Sequence, residues 1–154
     1  SEVVDYILHQ LVDHLRLDRA LLYLNIKNEY LHLYKTETAG ADGGDLAVTM
    51  PLRADAGLTA RAALLKEAYN ITDPENSPYI NQELARKIGL NPFALSPLVI
   101  REKVVGVIGI DRSAGSGSIT DEEFSILKMF ANQAAITIDS LQQVDESFRS
   151  RYDL

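Results

Sequence analysis

Two apolar runs, Phe93 to Ile100 (FALSPLVI) and Val104 to Asp111 (VVGVIGID), are separated only by Arg101-Glu102-Lys103. Both are dense in Val, Leu and Ile, residue types that suit a pleated, half-buried surface. So short a connection leaves no room for the crossover that a parallel pair needs. The runs are therefore expected to form an antiparallel hairpin, and the rest of the fold has to accommodate it.

The same signal recurs upstream. Within Ala20 to Lys27, Leu22, Leu24 and Ile26 face one way and Tyr23, Asn25 and Lys27 the other. Glu29 to Lys35 alternates again, with Leu31 and Leu33 opposite Tyr30, His32 and Tyr34, which predicts a second tight hairpin. Leu46 to Leu52 and Ala68 to Thr72 are short strand candidates. Helical spacing appears in Ser1 to Leu17 (Val4, Leu8, Leu11, Leu15) and in Gly57 to Lys66. A further helix is expected from Tyr79 to Lys87, entered at Pro78 and stopped at Gly89. Thr120 followed by Glu123 is a capping box that starts a last, long helix. Phe124, Leu127, Ala131, Ala134, Ile138 and Leu141 recur along it in three- and four-residue steps, and Phe148 resumes the series.

Gly40 to Asp45 and Ala114 to Ser118 are expected loops, and no repeat or interdomain linker is visible. Residues 1–154 are thus expected to form one α+β domain, a mostly antiparallel sheet with helices packed on its faces. The start without Met and the unpunctuated end suggest a piece of a longer protein.

Composition narrows the chemistry. With 46% hydrophobic and 24% charged residues, the chain has the make-up of a folded, soluble protein. A net charge of −7 disfavours binding to phosphate backbones, so no direct nucleic-acid partner is expected. There is no cysteine, which removes thiol nucleophiles, disulfides, thiolate metal ligation and thioether attachment of a chromophore. The same absence fits a reducing, cytoplasmic setting. No apolar stretch approaches the roughly 18 residues of a membrane span.

Candidate reactive groups are few. His9 and His14 are spaced so that they do not share a helix face, and His32 stands alone, so no metal is expected. Ser96 lacks a Gly-x-Ser-x-Gly context. Pro97, inside a strong strand, marks either a sheet edge or a bulge beside a cavity. Gly115-Ser116-Gly117 lacks the third glycine of a dinucleotide loop. The densest polar cluster is Asn70, Thr72, Asp73, Asn76 and Tyr79, between a strand and a helix. It either borders a pocket or is a capped turn with Tyr79 packing its ring. No paired carboxylates stand out, so an enzyme is not expected. The terminal helices either bury their apolar stripes at home or pair with a second copy. Leu127, Ala131, Ala134, Ile138, Leu141 and Phe148 form the candidate seam, the first half of the helix packing at home and the second half pairing.

Ser96-Pro97-Leu98-Val99-Ile100, a short turn, then Val105-Gly106-Val107-Ile108-Gly109-Ile110 resembles the Pro-Leu…Gly-Val hairpin of GAF domains. Ile119 to Phe124 and the run from Leu127 to Ile136 resemble that family's entry into its terminal helix. Pro51-Leu52 with Gly57 to Arg61, and Thr72-Asp73, resemble its middle portion. The resemblance implies a sheet of about six strands with helices on both sides. It also implies a sensory or regulatory module that binds a small molecule, dimerises through terminal helices and signals to an output domain. In bacteria that output is often a histidine kinase or a cyclic-di-nucleotide enzyme. Asn70, Thr72, Asp73, Tyr79 and Ser96 are the candidate ligand-binding residues. Asp111-Arg112 stands where cyclic-nucleotide-binding members carry Asn-Lys, Ile119 for their Phe, and Glu123-Phe124 for their Asp-Glu, which disfavours a cyclic nucleotide. Without cysteine a covalent bilin has no attachment point. The alternative function is a ligand-free dimerisation spacer.

Overall fold

The computed structural model describes residues 2–39, 47–83, 90–112 and 117–144. In order they form helix α1 (Glu2–Leu15), strands β1 (Arg19–Ile26), β2 (Tyr30–Thr38) and β3 (Thr49–Pro51), and helix α2 (Leu58–Leu65). Strands β4 (Tyr69–Ile71), β5 (Phe93–Ile100) and β6 (Lys103–Asp111) follow, then helix α3 (Asp121–Val144). The six strands make one sheet in the order β3-β2-β1-β6-β5-β4. Every neighbouring pair is antiparallel, the α+β arrangement expected.

Both hairpins are present. Ile100 pairs with Lys103, so the β5–β6 turn is the two residues Arg101-Glu102 and Lys103 already belongs to the strand. Their φ angles, 49° and 64°, are the positive values that a two-residue type I′ turn needs. Lys27 and Asn28 take similar angles between β1 and β2. There the Asn25 amide donates to Asn28 Oδ1 (2.9 Å) and accepts the Asn28 backbone N–H (3.0 Å).

The two-residue period of the strands sorts the core into two layers. Ala20, Leu22, Leu24, Ile26, Ala94, Leu98, Ile108 and Ile110 lie under α1 and α3. Tyr23, Leu31, Leu95 and Val107, with the partly buried Leu21, Leu33 and Phe93, lie on the other face with α2. Small residues let α2 sit close to the sheet: Ala60, Ala62 and Ala63 are all buried. α1 ends two residues before the expected Leu17. Arg16 turns left-handed (φ 54°) and the Leu17 N–H donates to the Val12 carbonyl (3.0 Å).

Several expectations need correcting. Of the strand expected over Leu46 to Leu52, Thr49–Pro51 pairs with β2, and the Val48 carbonyl and Leu52 N–H add hydrogen bonds at either end (2.8 and 3.0 Å). That expected over Ala68 to Thr72 is paired at Tyr69–Ile71. The helix expected from Tyr79 starts later. Ser77 Oγ accepts the Tyr79 N–H (3.3 Å) and the Ser77 carbonyl the Ile80 N–H (3.4 Å), a turn that postpones helical residues to Gln82-Glu83. The Gly40–Asp45 loop, residues 84–89, most of the Ala114–Ser118 loop and Phe148 lie outside the described residues. Pro97 sits where β4 has already ended, since β4 pairs only with Phe93–Leu95. A register shift follows next door, between Leu98 and Val99. The missing N–H therefore leaves no β4 partner unsatisfied.

The candidate seam on α3 faces the chain's own core as far as Leu141. Leu127, Ala131, Ala134 and Ile138 are essentially fully buried, and Leu141 packs on the same core. The stripe is consumed at home because that face of β1, β5 and β6 has to be covered. The side chains that α1 and α3 leave exposed are different ones: Val3, Tyr6 (63%), Met129 (68%) and Ile136 (55%).

Candidate functional site

A cavity of about 450 Å³ opens on the α2 side of the sheet. Its floor follows from strand alternation: Arg19, Leu21 and Tyr23 of β1, Phe93 and Leu95 of β5, and Gly109 and Asp111 of β6 line it. Met50 of β3, Thr59 of α2, and Ala47, Leu90 and Asn91 from the connections wall it. The volume is that of a small-molecule site, and the lining is mostly apolar with a few convergent polar groups.

Gly109 sits mid-floor between Leu21 and Leu95, its register partners. A Cβ there would lie 2.9 Å from Leu95 Cδ2 and 3.2 Å from Leu21 Cδ1, so these leucines lean into the space a side chain would fill. Gly106, outside the cavity, has a harsher constraint, because a Cβ would collide with the Tyr23 backbone carbonyl.

The polar end of the cavity is an ion pair. Arg19 Nε donates to Asp111 Oδ2 at 2.9 Å, and Arg19 Nη2 donates to the same oxygen. Burial pushes the Asp111 carboxyl above its ordinary value, and Arg19 opposes that rise. Tyr23 donates its hydroxyl to the Ala47 carbonyl (2.7 Å), and burial raises its pKa as well.

Immediately after Asp111 the chain turns to the helical layer. Arg112 is buried, and it grips Glu123 as a fork: Nη1 to Oε1 at 2.9 Å and Nη2 to Oε2 at 2.6 Å. The same guanidinium donates to the Ser118 carbonyl (3.2 Å) and to the Leu15 carbonyl (2.5 Å) in the last turn of α1. Glu123 meanwhile completes the capping box: it accepts the Thr120 N–H (3.0 Å) while Thr120 Oγ1 accepts the Glu123 N–H (3.1 Å). Held by Arg112, the Glu123 carboxyl is lowered to about 2. At the other end of α3, Asp139 is 3% exposed and pairs with Arg101 (2.7 Å) and Lys103 (2.8 Å) of the β5–β6 turn. These two cations hold its carboxyl below the usual range.

None of the five ligand-binding residues expected from sequence lines this cavity. Ser96 pairs with Ile108 and is buried on the opposite, α1/α3 face, its Oγ near the Pro97 carbonyl (3.4 Å). Asn70 donates to the Ile119 carbonyl (2.9 Å), tying β4 to the segment before α3. Thr72 and Asp73 are exposed, and Asp73 Oδ2 accepts the Asn76 amide (2.8 Å), the capped-turn alternative. Tyr79 is 52% exposed and packs its ring on Tyr69 (5.2 Å), with the Arg61 guanidinium 5.9 Å from its centre. Sequence reading missed Arg19, Gly109 and Asp111. Their signal was a charge at the start of β1 and at the end of β6, and a glycine between apolar neighbours.

Other candidates are weaker. A groove of about 480 Å³ runs between α1 and the end of β2, where His9 Nδ1 lies 3.0 Å from Glu37. Among the described residues no three His, Asp or Glu side chains form a metal-binding group. No helix there is long and apolar enough to cross a membrane.

The family model for the GAF domain matches residues 1–138. The chain belongs to the GAF family. GAF domains are generally regulatory rather than catalytic modules. Solved structures share the fold at low identity. A GAF domain/HD domain protein from Geobacter sulfurreducens superposes with a TM-score of 0.76 at 19% identity, covering 94% of this chain and 95% of that one. Residues 122 to 287 of a methyl-accepting chemotaxis protein give 0.75 at 20% identity, covering 94% and 92%. The GAF domain of an Acinetobacter phosphoenolpyruvate-protein phosphotransferase gives 0.72 at 19%, covering 92% and 82%. No curated protein sequence matches significantly. In this GAF domain Asp111-Arg112 is spent on two ion pairs, one facing the cavity and one facing α3.

Proposed function

We propose that this GAF domain is a non-catalytic sensing module of a bacterial, cytoplasmic signal-transduction protein. A small molecule occupies the cavity between α2 and the sheet, and its occupancy biases the position of α3, which leads to an output domain such as a histidine kinase or a cyclic-di-nucleotide enzyme. The observation that carries this reading is the succession Asp111-Arg112: one side chain lines the cavity and the next holds the first turn of α3 and the last turn of α1. A ligand that prefers one arrangement of Asp111 shifts α3 by its differential affinity for the two states, a coupling of about 1–3 kcal/mol. The signalling contexts of the structural neighbours support the same reading. No covalent bilin is part of it, for want of cysteine, and no cyclic nucleotide.

The domain acts as a homodimer. Val3 and Tyr6 of α1 with Met129 and Ile136 of α3 are the exposed apolar side chains of the helical layer, the composition of a pairing surface. That surface would equally serve the alternative, a spacer whose cavity stays empty. Backbone amide NMR with a fragment mixture separates the two. Sensing is supported when shifts gather on Leu21, Leu95 and Gly109 and extend to Glu123. Shifts confined to the outer faces, or none at all, leave the spacer.

A further inference from the structure

The lining specifies a ligand class, an inference that rests on the cavity being the sensing site. Among its described lining residues Arg19 and Asp111 are the ionised pair, and they neutralise each other at hydrogen-bond distance. Their side chains are largely withdrawn from water, 24% and 13% exposed. A charged ligand would add a third charge to a pair that is already neutral. That charge would enter a mostly apolar cavity with no counter-ion of its own among the described lining residues, a costly state. The rest of the surface, from Leu21, Met50, Leu90, Phe93 and Leu95, favours apolar contact.

Both hydrogen bonds that Arg19 gives Asp111 fall on Oδ2, and Oδ1 has no hydrogen-bond partner among the described residues. An acceptor at the rim of an apolar cavity discriminates in favour of a ligand that brings a donor, because burying it unpaired is unfavourable. We infer that the cavity takes an uncharged, largely apolar small molecule carrying an N–H or O–H donor directed at Asp111, and that it rejects phosphate- or carboxylate-bearing ligands.

Four matched probes test this on the 154-residue chain: benzamide, benzoate, benzamidinium and N,N-dimethylbenzamide, titrated with the Leu95 and Gly109 amides observed. Benzamide should bind in the cavity at least about tenfold more tightly than benzoate or benzamidinium. Loss of the donor in the dimethyl compound should weaken binding about three- to tenfold. Leu95→Trp, which fills the cavity, should remove all binding, and the wild-type shift map locates the probe should that variant fail to fold. Benzoate or benzamidinium binding in the cavity as well as benzamide overturns the ligand class while leaving the site in place. Dimethylbenzamide matching benzamide overturns the role of Asp111. If no probe moves the Leu95 or Gly109 amides, the sensing site itself fails and the inference with it.

Discussion

Asp111 and Arg112, neighbours in sequence, serve opposite sides of the sheet. Asp111 closes the cavity with Arg19, and Arg112 fastens α3 to α1 through Glu123 and the Leu15 carbonyl. Strand alternation explains the geometry, and the end of β6 at Asp111 explains why Arg112 is at liberty to reach into the helical layer.

Glu123 makes that fastening sensitive to acid. Its folded-state value of about 2 lies below the ordinary 4.5, so its contribution is full above pH 4.5 and is lost as pH falls from there toward 2. Glu123→Gln preserves the capping box but removes the charge, and is expected to cost about 2 kcal/mol at pH 7. Urea denaturation at pH 7 and pH 3 should show the wild-type advantage over the variant shrinking sharply at the lower pH.

Gly106 and Gly109 should respond unequally to alanine. At Gly106 the new Cβ meets backbone, the Tyr23 carbonyl, which cannot move without parting β1 from β6. At Gly109 it meets the ends of two leucine side chains. Gly106→Ala is expected to destabilise by more than about 3 kcal/mol and Gly109→Ala by about 1–2 kcal/mol. Thermal melts rank them, and equal losses would contradict the geometry.

The β5–β6 turn carries avoidable strain. Glu102 holds φ at 64°, a conformation glycine adopts without penalty. Glu102→Gly should stabilise by about 0.5–1 kcal/mol, since its side chain has no partner among the described residues and the turn type favours glycine there. Chemical denaturation midpoints provide the check.

Asp139 anchors the far half of α3 to that same turn. Asp139→Asn keeps the shape but gives up the charge between Arg101 and Lys103, with an expected loss of about 1–2 kcal/mol. Because both cations are well exposed, they rehydrate in the variant, which keeps the cost moderate. The folded carboxyl is lowered, so the wild-type advantage is present at neutral pH and disappears as pH drops through the carboxylate range.

Self-association separates the two faces of α3. Leu127→Ala, on the buried face, should destabilise the fold by about 2–5 kcal/mol. Ile136→Glu and Met129→Glu, on the exposed face, should leave stability within about 0.5 kcal/mol yet shift sedimentation toward monomer. A dimer unaffected by both glutamates would place the interface elsewhere.

How much of this was legible beforehand depended on locality. The hairpins, the capping box and the long helix are written in short windows: alternation, a turn of two or three residues, Thr120 with Glu123. The two glycines of Val105 to Ile110 were visible, but not that one meets a carbonyl of β1 and the other two leucines. The cavity was illegible for the same reason, since Arg19 meets Asp111 across 92 residues of sequence. The polar cluster around Asp73 was visible, but turn chemistry and binding chemistry use the same residue types, and only the fold shows the Asp73–Asn76 turn. Asp139, beside Ile138 of the apolar stripe, was not singled out. What it pairs with required the sheet.

The central position of β1 has a kinetic side. Its inner neighbour is β6, the last described strand, so β1 lacks a partner on its second edge until every other described strand has been made. Until then the β1–β2 hairpin presents unpaired backbone to any other extended segment, a route to aggregation that complete chains escape only by closing this long-range ladder. Docking of the β5–β6 hairpin onto β1 is accordingly expected to limit folding, with nucleation centred on the β1–β6 seam rather than on either local hairpin.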